Sequence, residues 1–254
     1  MMLFDSHAHY TDARFDEDRD ALLSSLRAAG VGRVVEIGCD AAGAAAAVKL
    51  AEAYPFVWAA VGIHPERAGE AAEADFAAIE ALYAHPKVVA VGEIGLDYHW
   101  DTPSRELQRE AFARQLETAR RLDLPVCIHD REAHADTLDI LRAYPGVRGV
   151  FHCYSGSLEM TRDVLKLGFV FGFGGVITFK NAKKYEPILK SLPAEAILIE
   201  TDCPYLAPEP YRGKRNDSRY LTRVVETIAE LRDLSVEETA ALTYQNAARL
   251  YGIA

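Results

Sequence analysis

Short runs rich in Val, Ile and Phe alternate with longer amphipathic stretches from one end of the chain to the other, and this alternation constrains the fold more than any other feature. Eight runs read as strands: Leu3 to Asp5, Arg33 to Cys39, Val57 to Ile63, Val88 to Ile94, Pro125 to Ile128, Gly149 to Phe151, Phe169 to Phe173 and Ile197 to Thr201. Helical patterns lie between them near residues 16–29, 42–54, 73–84, 103–123, 134–143, 158–167 and 181–191. Two more follow the last strand, near 218–232 and from Ser235, whose spacing to Glu238 fits a capping box, to just before Gly252. Repeated strand-helix units imply parallel strands with crossover helices. Eight of them in 254 residues predict an α/β fold closed into a (β/α)8 TIM barrel, with residues 1–254 as one domain.

Composition narrows the function. The chain is 50% hydrophobic and 26% charged, which excludes intrinsic disorder, and its formal charge of −10 excludes polyanion binding by overall electrostatics. Affinity for phosphate has to be local. Four scattered cysteines and no C-x-x-C pair point to a reducing compartment. With no basic leader and no long apolar span, the expectation is a cytoplasmic protein with no membrane partner, and no obligate protein partner is evident.

The first strand runs into His7-Ala8-His9, whose imidazoles, two residues apart on an extended segment, face one way. Strand four ends around Glu93, strand five at His129, strand six at His152 and strand eight at Asp202. In a barrel those C-terminal ends converge on the face where active sites form, so four histidines and two carboxylates meet there as candidate metal ligands. Six ligands exceed what one catalytic ion needs, and two divalent ions are the natural count. A workable partition gives one ion His7, His9 and Asp202 and the other His129 and His152, with Glu93 bridging. Such a pair supplies hydroxide near neutral pH for hydrolysis. The donor set suits Mn, Co or Zn.

The motifs Asp5-Ser6-His7-Ala8-His9, Gly62-Ile63-His64-Pro65, Gly92-Glu93-Ile94-Gly95-Leu96-Asp97-Tyr98, His152-Cys153-Tyr154-Ser155-Gly156 and Glu200-Thr201-Asp202-Cys203-Pro204-Tyr205 resemble those of the TatD family of metal-dependent deoxyribonucleases, in the amidohydrolase-like superfamily. The resemblance spans nearly the whole chain. It implies a divalent-metal hydrolase with DNase activity, often exonucleolytic, using the six ligands above, and it allows Mg beside Mn or Zn. The chain departs from the family pattern at Glu66, where His often stands, and at Asn216-Asp217-Ser218, where Asn-Glu-Pro is usual.

Substrate contacts can be argued from the residues. Lys180, Lys183 and Lys184 follow strand seven, and Arg212, Lys214 and Arg215 follow strand eight, where barrels frequently bind phosphate. Arg212, Lys214 and Arg215 are the expected phosphate contacts. His64, ending strand three, is expected to touch a phosphate oxygen or relay a proton. Tyr10, Tyr98, Tyr154 and Tyr205 are candidates for stacking on bases. His85, His99 and His134 read as surface or helix residues, and Cys153 and Cys203 as free thiols pointing away from the metals.

The expected reaction is hydrolysis of DNA at single strands or strand ends, with Glu93 and Asp202 at the metals, Asp202 orienting the nucleophile or taking its proton, and His64 assisting. Two alternatives stay open: a metal-dependent hydrolase of a small amide, lactone or ester or of an aminoacyl-tRNA ester, and a non-enzymatic metal-stabilised scaffold.

Overall fold

A strand covered on both faces must be apolar along its whole length, and the eight runs are buried accordingly. The computed structural model describes residues 1–100 and 102–253. Its strands are β1 (Leu3–Ala8), β2 (Val31–Gly38), β3 (Val57–Val61), β4 (Val88–Asp97), β5 (Val126–Arg131), β6 (Gly149–Phe151), β7 (Phe169–Phe173) and β8 (Ile197–Ile199). They form one parallel sheet in sequence order, β1 to β8. The sheet curls into a nearly closed barrel. An Ala8–Cys203 bridge meets across the seam, where the Asp202 N–H donates to the His7 carbonyl at 3.0 Å.

Helices α1 (Arg19–Leu26), α2 (Ala41–Ala53), α3 (Glu73–Leu82), α4 (Arg105–Leu122), α5 (His134–Arg142), α6 (Leu158–Lys166), α7 (Tyr185–Ser191), α8 (Leu221–Arg232) and α9 (Val236–Tyr251) alternate with the strands or follow the last one. Four of them start at side-chain caps: Asp40 accepts from the Gly43 N–H, Ser104 from Leu107, Ser157 from Met160, and Ser235 and Glu238 make the expected capping box. The pattern near 16–29 resolves into a 3-10 turn at Ala13–Phe15 and the shorter α1. The one near 181–191 shrinks to α7.

Phe4, Val35, Ile37, Ala60, Cys127, Val150 and Leu198 belong to one buried cluster with Tyr251 and Ile253. These strand residues make the apolar layer inside the barrel, and the end of α9 closes it below: the Tyr251 hydroxyl donates to the Ser6 carbonyl and Arg33 to that of Ile253. A side chain two positions further along a strand, toward its C-terminal end, therefore stands above this layer at the mouth.

Beside the backbone bonds that cross it, one carboxylate braces the seam. Asp5, fully buried, accepts from the Thr201 N–H (2.9 Å), the Thr201 hydroxyl (2.7 Å) and the Ser218 hydroxyl (2.6 Å). Ser218 stands where the resembled family has proline, and it adds an N–H that donates to the Tyr10 hydroxyl at 2.9 Å. Among the described residues no helix is long and apolar enough to cross a membrane.

Candidate metal centre

Cys127, Val150 and Leu198 sit in the apolar layer, so His129, His152 and Glu200, two residues on, rise above it. Glu93 arrives differently. Val91 pairs with Val126 and Ile94 with Ile128, three steps on β4 against two on β5, and this bulge redirects the strand around Glu93. The ladder then continues to Asp97–Arg131, which carries β4 beyond its expected end at Ile94. Gly95 permits this: with φ of 143°, a Cβ there would meet the His129 carbonyl oxygen at 2.0 Å. β8, by contrast, ends at Ile199, and Asp202 adopts a left-handed φ of 55°.

All six expected ligands converge. His7 Nε2 lies 3.1 Å from His9 Nε2, 3.4 Å from Glu93 Oε2 and 3.7 Å from Asp202 Oδ1, and His9 Nε2 lies 3.3 Å from Asp202 Oδ1. On the other side of the same carboxylate, Glu93 Oε1 lies 2.7 Å from His129 Nδ1, 3.1 Å from His152 Nε2 and 3.6 Å from His64 Nε2. Three groups have donor atoms all within 4.8 Å of one another: His7, His9 and Asp202; His7, Glu93 and His152; and His64, Glu93 and His129. The last pairs His129 with His64 rather than with His152. The His64 tautomer bears on that: its Nδ1 accepts from the Glu66 N–H, which leaves the proton of a neutral ring on Nε2, facing Glu93 as a donor.

The spacing fits a divalent cation. Ligand bonds of about 2.0–2.1 Å in a tetrahedron separate the donors by about 3.3–3.4 Å, and the His7, His9, Asp202 and Glu93 distances scatter around that value. Electrostatics point the same way. Burial alone would raise the Glu93 carboxyl, but His152, His64, His7 and His129 outweigh it and hold it well below the usual carboxylate range. Burial opposes a charge on His129 too, yet hydrogen bonds to Asp97 and Glu93 push its imidazole up to about 9. A proton on His129 Nδ1 then occupies the lone pair that a cation needs. Cation affinity is accordingly expected to rise by up to about tenfold per pH unit from neutral pH to about 9, with proton release on binding. Calorimetry in buffers of different ionisation enthalpy checks this; constant affinity over that range contradicts it.

Three residues that the sequence reading passed over orient the imidazoles. Asp97 Oδ2 lies 2.9 Å from His129 Nε2, Glu200 Oε1 lies 3.2 Å from His152 Nδ1, and Cys127 Sγ lies 3.2 Å from His7 Nδ1. Each holds the ring nitrogen turned away from the cluster. Asp97 and Glu200 were visible only inside larger motifs, four residues after Glu93 and two before Asp202. Asp97→Ala is expected to weaken cation binding about 10- to 100-fold with little change in unfolding temperature; unchanged affinity in a metal titration would remove Asp97 from this role.

Above the cluster opens a cleft of about 670 Å³ lined by His9, His64, Glu93, His129, His152 and Asp202, with Asp12, Asp40, Glu66, Arg67, Trp100, Arg131 and Tyr205 among its other residues. Arg212, Lys214 and Arg215 do not line it. Arg215 is spent on Asp18 through both terminal guanidinium nitrogens (2.8 and 2.6 Å), Arg212 lies over the Phe179 ring, and Lys214 is near Tyr211. Of the four tyrosines expected to stack, Tyr10 and Tyr154 are buried, and Tyr98 hydrogen-bonds Asp136 and stands outside the cleft; only Tyr205 reaches it. Cys203 is buried and Cys153 half-buried. His85 pairs with Glu52, His99 with Glu132 and His134 with Asp130, all outside the cluster.

Comparison with known proteins places this geometry. The sequence model of the family described as TatD related DNase matches residues 4–252. An uncharacterized metal-dependent hydrolase of Bacillus subtilis, YabD, is 44% identical over 254 residues, covering 99% of this chain and all of the relative. The 3'-5' ssDNA/RNA exonuclease TatD of Citrobacter rodentium is 34% identical over 99% of this chain and 98% of its own length. Among solved structures, the TatD homologue YjjV of Escherichia coli superposes with a TM-score of 0.93 at 33% identity, covering 99% of this chain and 98% of that one.

Proposed function

Since the chain belongs to the family of TatD-related DNases and is a metal-dependent hydrolase, we propose that it cleaves phosphodiester bonds of single-stranded nucleic acid, from strand ends, at a centre of two divalent cations bridged by Glu93. The observation that carries this reading is the division of Glu93: Oε2 faces His7 and His9, which Asp202 approaches in turn, while Oε1 faces His129, His152 and His64. Cations bound there, Mg, Mn or Zn, supply Lewis acidity toward a phosphate and lower the pKa of water far enough for attack near neutral pH.

The chain's own residues do the rest. Asp202 stays ionised, since the His9 hydrogen bond and the charges of His152, His9 and His7 outweigh the effect of burial, and its carboxylate is placed to accept the proton of the attacking water. Its N–H bond to the His7 carbonyl fixes that position. His64 is kept neutral by burial, with its proton on Nε2, and offers a hydrogen bond to the departing oxygen. The exonuclease reading draws on relatives such as the C. rodentium protein and on a cleft whose rim carries aromatic and basic side chains. Arg212 and Lys214 lie outside that cleft and serve, in this reading, phosphates further along the strand; Arg215, committed to Asp18, braces the segment between β8 and α8.

Metal-stripped protein given end-labelled single-stranded DNA, duplex DNA and RNA, with Mg, Mn or Zn restored one at a time, tests the reading. Activity is expected only after a cation is restored, faster on single strands than on blunt duplex, and declining as salt rises. Cleavage that persists in chelator, or equal rates on closed circles and frayed linear strands, contradicts it.

A further inference from the structure

Most large aromatic side chains of this protein are buried or braced, but Trp100 keeps 53% of its surface exposed at the rim of the cleft. It stands three residues after Asp97, the residue that orients His129. His99, anchored to Glu132 at 2.7 Å, meets the indole edge-on at 4.7 Å and braces it. Across the β4–β5 ladder, Arg131 pairs in register with Asp97 and carries its guanidinium over the indole, 5.8 Å from the centroid. The other arginine of the cleft, Arg67, is held by Asp40 and Glu70. Arg131 has no carboxylate within ion-pair distance among the described residues. Tyr205, the other exposed aromatic of the rim, is already covered by Arg14 at 4.0 Å and tied to Asp12 through its hydroxyl. An indole more than half exposed, loosely overlain by a guanidinium that makes no close ion pair among the described residues, thus stands next to the His129 end of the cluster.

We propose that Trp100 and Arg131 form a nucleotide-holding subsite, the indole stacking on the base next to the scissile bond and the guanidinium pairing with its phosphate. This rests on the nucleic-acid reading of the centre and adds the element that selects unpaired strands. A base inside a duplex has both faces covered by its neighbours, so only an unstacked base can present a face to Trp100. Stacking accepts any base, and the subsite therefore confers strand-state selectivity with little sequence preference.

The chain has two tryptophans, and the second, Trp58, is half-buried beside Arg33 and Lys87, which makes indole fluorescence a usable probe. Cation-loaded protein is titrated with a phosphorothioate oligothymidylate, which resists cleavage, and with an abasic oligomer of equal length. Binding of the thymidylate is expected to quench fluorescence in the wild type but not in Trp100→Phe. Trp100→Ala should bind it about tenfold to a hundredfold more weakly while binding the abasic oligomer as the wild type does, with Trp100→Phe in between. Arg131→Ala should weaken both oligomers alike and lower the salt slope by about one. Equal affinity of Trp100→Ala and wild type for the thymidylate, or an equal loss on the abasic oligomer, overturns the subsite and leaves the nuclease reading intact. Quenching and base-dependent binding by a protein that cleaves no natural strand keeps the subsite and sinks the nuclease reading. A wild type that binds neither oligomer overturns both.

Discussion

Glu93→Gln is expected to lower the rate of single-strand cleavage at least about a thousandfold, a loss of roughly 4 kcal/mol in transition-state stabilisation. The carboxylate presents Oε2 to His7 and His9 and Oε1 to His129 and His152, so it serves two sets of donors at once. The amide keeps the shape but replaces one anionic oxygen with an NH2 that only donates. One donor set loses its anion, and the cluster loses the charge that offsets its cations. The rate constant under saturating cation and the cation content after dialysis should fall together, while the unfolding temperature of the metal-free protein changes little. Near-wild-type turnover with full cation content would remove Glu93 from the centre of the account.

Asp5→Ala is expected to cost about 3–5 kcal/mol of folding stability, and about 10 °C in Tm for a domain of this size. The carboxylate is fully buried and receives the Thr201 N–H, the Thr201 hydroxyl and the Ser218 hydroxyl, which join the first strand to the segment after the last. Alanine leaves those donors stranded where water cannot reach, and each carries a desolvation cost of about 1–3 kcal/mol, partly relieved by relaxation. Ser218→Ala removes a single hydroxyl and should cost only about 1 kcal/mol. Denaturant midpoints of the two variants give the comparison; an Asp5→Ala protein within about 1 kcal/mol of wild type shows that the seam does not depend on this carboxylate.

The architecture was legible because a barrel strand covered on both faces has to be a continuous apolar run, and eight such runs stand out of this sequence. The residues of the cluster were legible for a related reason: a histidine or carboxylate that ends an apolar run marks the mouth, where His129, His152 and Glu93 come together. Partnerships made by tertiary adjacency were not. Nothing in the spacing of Asp97 or Glu200 says that each backs a particular imidazole, and nothing in the run Pro125 to Ile128 says that Cys127 meets His7, 120 positions away. Arg215 misled for the opposite reason. It stands in a basic stretch, yet the guanidinium is claimed by Asp18 across 197 positions. Trp100, in a loop between β4 and α4, carried no periodic signal, and only its exposure beside the cleft singles it out.

The most direct test of the two-cation centre is a crystal of the protein soaked in Mn and measured at the manganese absorption edge. Two anomalous peaks about 3.5–4 Å apart are expected, one bounded by His7, His9 and Asp202, the other by His129 and His152, with Glu93 between them. A single peak, or peaks away from Glu93, would contradict the account.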